Sequence, residues 1–289
     1  MSERRASRAR RSLGRQALLL PSSAWTVLFF LAPLGLLLVY SFGSIDFLTF
    51  EVNFGWTLSN YGDVFSDLYL STVARSLLMS LASTLGCLIV GFPLAYAISR
   101  QRGRWQTVLL VLVMIPFWTS FVVRTYGLVN LLDDRGPIAD LLGLLGITDE
   151  IHLLYTPYGV AIGMVYTYLP LMVLPLFVAL ERIDPALLGA ARDLGAPPHR
   201  VFRRVVLPLA APGILAGCVL VGVPAVGEYV VPAILGGGKT LMYGNVVAEQ
   251  FSGLGNYPLG SALAVTLTAL VTVIVLVSRS ARRREAVLG

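Results

Sequence analysis

Two side chains stand out for the chemistry they could do. Arg124 and Glu228 are ionisable groups set inside long apolar stretches. A charge at the centre of a bilayer costs about 2.5–3.5 kcal/mol on insertion scales, so each must face a bundle interior or a cavity. Glu228 could line a path and attract a cation. It could equally be half of a structural hydrogen-bonded pair with Arg124. Trp118, Tyr126, Tyr166, Tyr168 and Tyr229 could offer ring faces to a cation, or serve as packing and interface anchors. Trp118, Tyr126, Glu228 and Tyr229 are the candidate substrate pathway. Asp133 and Asp134 could gather cations at its outer mouth, or form an ordinary solvated loop. Other chemistries find no residues. There are two histidines, His152 and His199, and two cysteines, Cys87 and Cys218, within apolar runs and without metal-ligand spacing. Both cysteines read as small core residues. No metal site and no catalytic residue is expected, and no glycine-rich phosphate loop of Walker type is found.

A second constellation runs from Asp184 to Pro208. Asp184 can cap a helix by accepting a backbone N–H, and Pro185 suits the first helical position, where its missing N–H is no loss. Ala186 to Leu194 are mostly good helix formers. Gly195 can take the left-handed conformation that ends a helix. Pro197 and Pro198 then punctuate. A second short amphipathic run follows, with Val201, Phe202, Val205 and Val206 apolar and Arg200, Arg203 and Arg204 basic. The pattern predicts a short helix, a bend and a second helix on a membrane face, either a docking element or a plain connecting loop.

The elements that position these groups follow from composition. The chain is 56% hydrophobic and 13% charged, where soluble domains carry roughly 25% charged residues. Lipid must therefore solvate most of it. Six apolar spans are expected, at about 18–42, 70–98, 107–132 (interrupted at Pro116), 157–180, 209–235 and 258–278, each near the 20 residues a crossing needs. The run after the basic start is too long for a signal-peptide core and is read as a retained first span. Eighteen of the 22 basic residues fall in 1–16, 100–104, 182–204 and 279–284. The positive-inside rule then places both termini and the 184–208 stretch in the cytoplasm. The expected organisation is a basic segment 1–16, a transmembrane domain 17–278 containing a cytoplasmic loop 181–208, and a basic tail 279–289. The fold class is all-α. The net charge of +6 sets topology, and no soluble domain remains to present a basic face to nucleic acid.

Within this frame Gly189-Ala190-Ala191, then Gly195, Val205 and Leu207-Pro208, resemble the "EAA" loop of binding-protein-dependent ABC importer permeases. That pattern runs Glu-Ala-Ala, three residues, Gly, nine residues, Ile, one residue, Leu-Pro. Gly189 stands where the family has Glu, and Val205 where it often has Ile. Ile115-Pro116-Phe117-Trp118-Thr119-Ser120 with Arg124-Thr125-Tyr126-Gly127 is similar to the third helix of the superfamily's spermidine/putrescine permeases. Tyr168-Leu169-Pro170, Gly227-Glu228-Tyr229-Val230-Val231-Pro232 and Pro258-Leu259-Gly260-Ser261-Ala262-Leu263 are similar to their later helices.

The resemblance implies a type I ABC importer permease with a MetI-like fold in a bacterial cytoplasmic (inner) membrane. It implies two ATP-binding subunits, a second, non-identical permease and a periplasmic or lipid-anchored solute-binding protein as partners. This chain would bind no cofactor, ATP and Mg being held by the ATPase. Asp184, Gly189, Ala190, Ala191, Gly195, Leu207 and Pro208 would form the coupling loop, and polyamines would be the solute. A related permease for an organic anion, thiamine or ferric ion is the nearest alternative. A lone secondary transporter would favour an inverted repeat, which is not found. An intramembrane enzyme would need a nucleophile–base pair or a metal cluster.

Overall fold

A computed structural model describes residues 21, 23–46, 48–49, 51–144 and 152–288, side chains at 142 and 277–288 excepted. The basic segment 1–16, Phe47, Phe50, Asp149 and Glu150 lie outside the described residues. The chain divides into two compact units, 1–66 with 249–268, and 67–248 with 269–289.

The first unit contains α1 (Ser23–Tyr40), a two-stranded antiparallel hairpin, β1 (Ser44–Ile45) with β2 (Val52–Asn53), and α2 (Ser59–Val64). The hairpin is a small departure from the all-α expectation. Helix α2 is tied to the link between α1 and β1 by polar groups that water or protein must satisfy. Asn60 Nδ2 donates to the carbonyls of Ser41 (3.0 Å) and Gly43 (2.7 Å), and the hydroxyls of Ser41 and Tyr61 lie 2.8 Å apart. The aromatics interleaved in this acidic stretch pack on one another, Tyr40 edge-on to Phe54 and Phe42 beside Trp56.

The second unit holds α3 (Asp67–Ser99), α4 (Arg104–Trp118), α5 (Phe121–Leu132), α6 (Pro137–Leu144), α7 (Pro157–Glu181), α8 (Pro185–Asp193), α9 (Pro198–Val226), α10 (Val230–Leu235) and the start of α11 (Tyr243–Ser252). The last helix, α12 (Tyr257–Leu288), is apolar as far as Leu276. Its core is formed where α3, α7 and α9 pack together. Over much of α3 the burial pattern is the reverse of a soluble protein's. Helix α3 buries Thr72, Ser76, Ser80, Ser83, Thr84, Cys87 and Gly91, and exposes Leu78, Leu81, Leu85, Ile89 and Val90. Against lipid no hydrophobic force joins helices, so small residues that let backbones approach form the seams. A Cβ on Gly213 would stand 2.5 Å from Ala179 Cβ and 2.7 Å from the Pro175 carbonyl oxygen, and one on Gly217 would stand 2.5 Å from Met172 Sδ.

Five helices are long and apolar enough to cross a membrane, and α4 with the stretch Phe121–Leu141 makes a sixth if the pair is one span bent by 98°. The expected third span is thus two helices. The break falls at Thr119–Ser120, three residues after Pro116. The fifth span also differs from expectation. It begins at Pro198 rather than after a separate short helix, and it ends at Val226, with α10 set apart. Pro208 cannot donate to the carbonyl of Arg204, and its ring would crowd that carbonyl in a regular turn. The preceding turn, Phe202–Val206, widens to π geometry, Leu207 N–H donating to the Phe202 carbonyl, and the helix continues through the proline.

The seam analysis makes a direct prediction. Gly213→Ala inserts a methyl where backbone and side chain already touch, and should cost about 1–3 kcal/mol. Gly62→Ala, with nothing within 4 Å of its Cβ position, should leave the unfolding temperature of the detergent-solubilised protein near wild type while Gly213→Ala lowers it.

Candidate functional site

Helix α8 is closed at both ends by local chemistry. Asp184 accepts from the N–H of Ala186 at 2.9 Å, and Pro185 occupies the first helical position. At the other end Gly195 has φ +75°. Its N–H donates to the Arg192 carbonyl at 2.8 Å, and the Ala196 N–H donates to the Ala191 carbonyl at 3.1 Å. These paired bonds are a Schellman motif, and Ala191 and Ala196 both pack on the core. One side chain fastens the helix inward: Leu188 is buried in the core cluster. Apart from Ala191, its remaining surface is open, with Gly189 and Ala190 small and Leu187 and Arg192 exposed. Ala190 is exposed, and Leu194 at the tip is 88% exposed. A Cβ on Gly189 would meet nothing within 4 Å. The glycine that replaces the family's glutamate therefore leaves a flat surface rather than filling a hole. Leu207 and Pro208 are exposed within α9, just beyond its π turn.

The second constellation lies where α9 stops. Gly227 N–H donates to the Pro224 carbonyl (3.2 Å) and Glu228 N–H to that of Ala225 (3.4 Å), tightening the last turn. The Glu228 side chain then folds over the start of α10. Its Oε1 accepts from the N–H groups of Tyr229 (3.0 Å), Val230 (2.9 Å) and Val231 (3.3 Å), and its Oε2 accepts from the hydroxyl of Tyr168 on α7. Three donors share Oε1 and one reaches Oε2, so both oxygens are engaged, and Glu228 is only 7% exposed. Asn245 completes the joint. Its Nδ2 donates to the Tyr229 carbonyl at 2.7 Å and its Oδ1 accepts from Met242 N–H at 3.0 Å. Gly244 lets the backbones meet, for a Cβ there would stand 2.5 Å from the Gly227 carbonyl oxygen. Ser76 of α3 accepts from Tyr243 N–H at 2.7 Å.

Arg124 is not the partner of Glu228. Its Nη1 donates to the Pro116 carbonyl at 2.7 Å, which also accepts from the Thr119 hydroxyl at 2.7 Å, and its guanidinium lies 5.5 Å from the Phe121 ring centre. Arg124 thus staples the α4–α5 bend. Of the four candidate pathway residues, Glu228 and Tyr229 meet at one joint. Trp118 and Tyr126, 76% and 58% exposed, are not among its partners. Asp134 Oδ2 lies 2.8 Å from His152 Nδ1 in an exposed hydrogen-bonded contact, and Asp133 accepts from Arg135 N–H. Sequence reasoning passed over Asn245, Ser76 and Gly244. Their partners are set by tertiary packing, and no local signal in the sequence marks them. Gly238-Lys239-Thr240 ends like a nucleotide loop. It follows helix α10 rather than a strand, and Gly237 packs against the Tyr155 ring, so the context a phosphate loop needs is not met. Among the described residues no group of His, Cys, Asp or Glu could hold a metal ion.

Comparison with known proteins adds identity to geometry. The family model described as "Binding-protein-dependent transport system inner membrane component" matches residues 87–284. The spermidine/putrescine transport system permease protein PotB of Escherichia coli (strain K12) is 40% identical over 260 residues, covering 90% of this chain and 94% of that protein. A bacterial ABC transporter involved in the import of alginate contains a chain that superposes with a TM-score of 0.74 at 18% identity, covering 97% of this chain and 99% of that one. The MetNI methionine ABC transporter in an inward-facing form gives a TM-score of 0.56 at 19% identity, with 74% and 94% covered. These two structures share its fold.

The two constellations generate one prediction each. Asp184→Ala should destabilise α8 by about 1 kcal/mol through loss of its cap, read as faster amide exchange over 186–194. Glu228→Ala strips four donors of their acceptor, each worth about 1–3 kcal/mol when buried. It should lower the unfolding temperature far more than Glu228→Gln, which keeps one acceptor oxygen.

Proposed function

The chain belongs to the binding-protein-dependent transport system inner membrane components, and on that premise we propose that it is the permease of an ATP-driven importer of polyamines. The observation that carries the solute is the 40% identity to PotB over 90% of this chain and 94% of that protein. The bilayer-facing leucines and the small-residue seams of α3, α7 and α9 fit a polytopic inner-membrane subunit. The basic loops 100–104 and 182–204 and both termini face the cytoplasm on the positive-inside rule.

The mechanism follows from where rigidity lies. Helix α8 is the coupling helix. A cytoplasmic ATPase subunit holds ATP and Mg, performs the hydrolysis, and receives Ala190, Ala191 and the Gly195 turn in a cleft. The small side chains let its surface reach the helix backbone closely. When the ATPases close, α8 moves as one body because both its ends are capped, and Leu188 passes the motion to the bundle. Such transmission needs discrete, packed parts. A second, non-identical permease completes the path, and a periplasmic or lipid-anchored binding protein delivers the solute. Within the membrane the exposed rings of Trp118, Tyr126 and Tyr229 offer faces to the ammonium groups. Glu228 shapes the path by holding the α9–α10 joint, its own oxygens being occupied.

The test is uptake into proteoliposomes holding the complete transporter with its binding protein. Spermidine and putrescine should enter only with ATP inside, and each should compete with the other. Gly195→Val, which forces a β-branched residue to φ +75°, should reduce uptake at least tenfold while the permease still reaches the membrane. Uptake that ignores ATP, or a binding protein that ignores polyamines and takes up an anion, would refute the reading.

A further inference from the structure

A cleft of about 230 Å³ opens between α7, α8 and α9, lined by Ala179, Arg182, Ile183, Leu187, Leu209 and Pro212. Its walls are apolar at five of six positions, and its single charge, Arg182, is exposed. Arg182 has no ion-pair partner among the described residues. The same holds for Arg200, Arg203 and Arg204 at the start of α9. Neither Glu181, whose Oε1 accepts from Gln106 Nε2 at 2.9 Å, nor Asp184, whose Oδ1 accepts from Ala186 N–H, forms an ion pair with Arg182.

The depth of the cleft decides what can fill it. Arg182 sits just past the last residue of α7, at the basic edge of the bundle. Pro212 adjoins Gly213, whose Cβ position lies 2.5 Å from Ala179 Cβ, and Ala179 stands three residues, about 4.5 Å at 1.5 Å per residue, inside Arg182 along α7. The cleft therefore runs from headgroup depth into hydrocarbon. A side chain of an aqueous partner would have to push into lipid to fill it. An amphiphile with an anionic head and an acyl tail meets both ends at once, because basic groups at a membrane edge attract anionic headgroups. We propose that this cleft binds an anionic phospholipid, its phosphate on Arg182 and an acyl chain along Ala179, Leu209 and Pro212. The bound lipid touches Leu187 in the first turn of α8, so it steadies the coupling helix against the bundle. The inference rests on the membrane assignment of α7 and α9 and is independent of which solute is carried.

The test uses the complete purified transporter, incubated with phosphatidylglycerol or phosphatidylcholine and weighed by native mass spectrometry. Wild type should retain phosphatidylglycerol in preference. Arg182→Gln should lower that retention about fivefold, the effect of one basic group at the membrane surface, with phosphatidylcholine retention unchanged. Arg182→Lys should restore it, which separates loss of charge from misfolding. Arg102→Gln, a basic residue outside the cleft, should retain the lipid as wild type does. Phosphatidylglycerol should also raise ATP hydrolysis stimulated by the binding protein in wild type but not in Arg182→Gln. Equal retention by wild type and Arg182→Gln, or equal loss in Arg102→Gln, would overturn the site. Cross-linking of Leu187→Cys to the ATPase subunit at the same yield with and without phosphatidylglycerol would assign the cleft to protein instead, and would leave the transport reading intact.

Discussion

No water reaches the hydrocarbon core, so every backbone N–H and C=O placed there must find its partner within the protein. The whole architecture answers to that requirement. Unbroken helices meet it by themselves, which is why most of the chain is helix. Where the chain breaks at the α4–α5 bend and at the α9–α10 joint, side chains take over. The Pro116 carbonyl at the α4–α5 bend collects the Thr119 hydroxyl and Arg124. The start of α10 is covered by the Glu228 carboxylate and tied by Asn245. The two ionisable groups inside the apolar stretches are thus the pieces that make two non-helical joints tolerable in a membrane.

This view separates what bends from what transmits. The joints at Thr119–Ser120 and Gly227–Tyr229 are places where backbone direction changes under side-chain control. Helix α8 is the opposite kind of element, short, capped at both ends and fixed inward by Leu188. An importer needs both. Its spans must adopt two arrangements around a path, and its contact with the energy source must not absorb the motion. Replacement of the family's glutamate by Gly189 fits this division. A Cβ at Gly189 would meet nothing within 4 Å, and in this chain the caps and Leu188 hold the helix without a carboxylate at that position.

How much of this was legible in the sequence depended on the range of the interactions. The α8 caps were readable because Asp184, Pro185 and Gly195 act on neighbours within a few residues. The apolar spans were readable because length and composition alone set them. Break positions were displaced because a proline alone does not fix them: α4 ends two residues past Pro116 and α9 two past Pro224, while Pro93, Pro170 and Pro175 lie within continuous helices. The true start of α9 at Pro198 was missed because a π turn lets the helix pass Pro208, and nothing local announces a π turn. The Glu228–Tyr168 bond was invisible, since its partners stand sixty residues apart and only packing of α7 against the end of α9 joins them. The pairing with Arg124 was the simplest electrostatic guess, and backbone carbonyls at the bend outcompeted it.

The central claim is that force enters the bundle through α8. It is tested most directly by disulfide cross-linking in membrane vesicles, with Ala190→Cys in this chain and single cysteines placed along the cleft of the ATPase subunit. The account predicts cross-links at Ala190 that form in the assembled transporter, abolish ATP-driven uptake, and release it again on reduction. Cross-links that leave uptake untouched, or an Ala190→Cys thiol that reacts only with reagents applied from the periplasmic side, would contradict it.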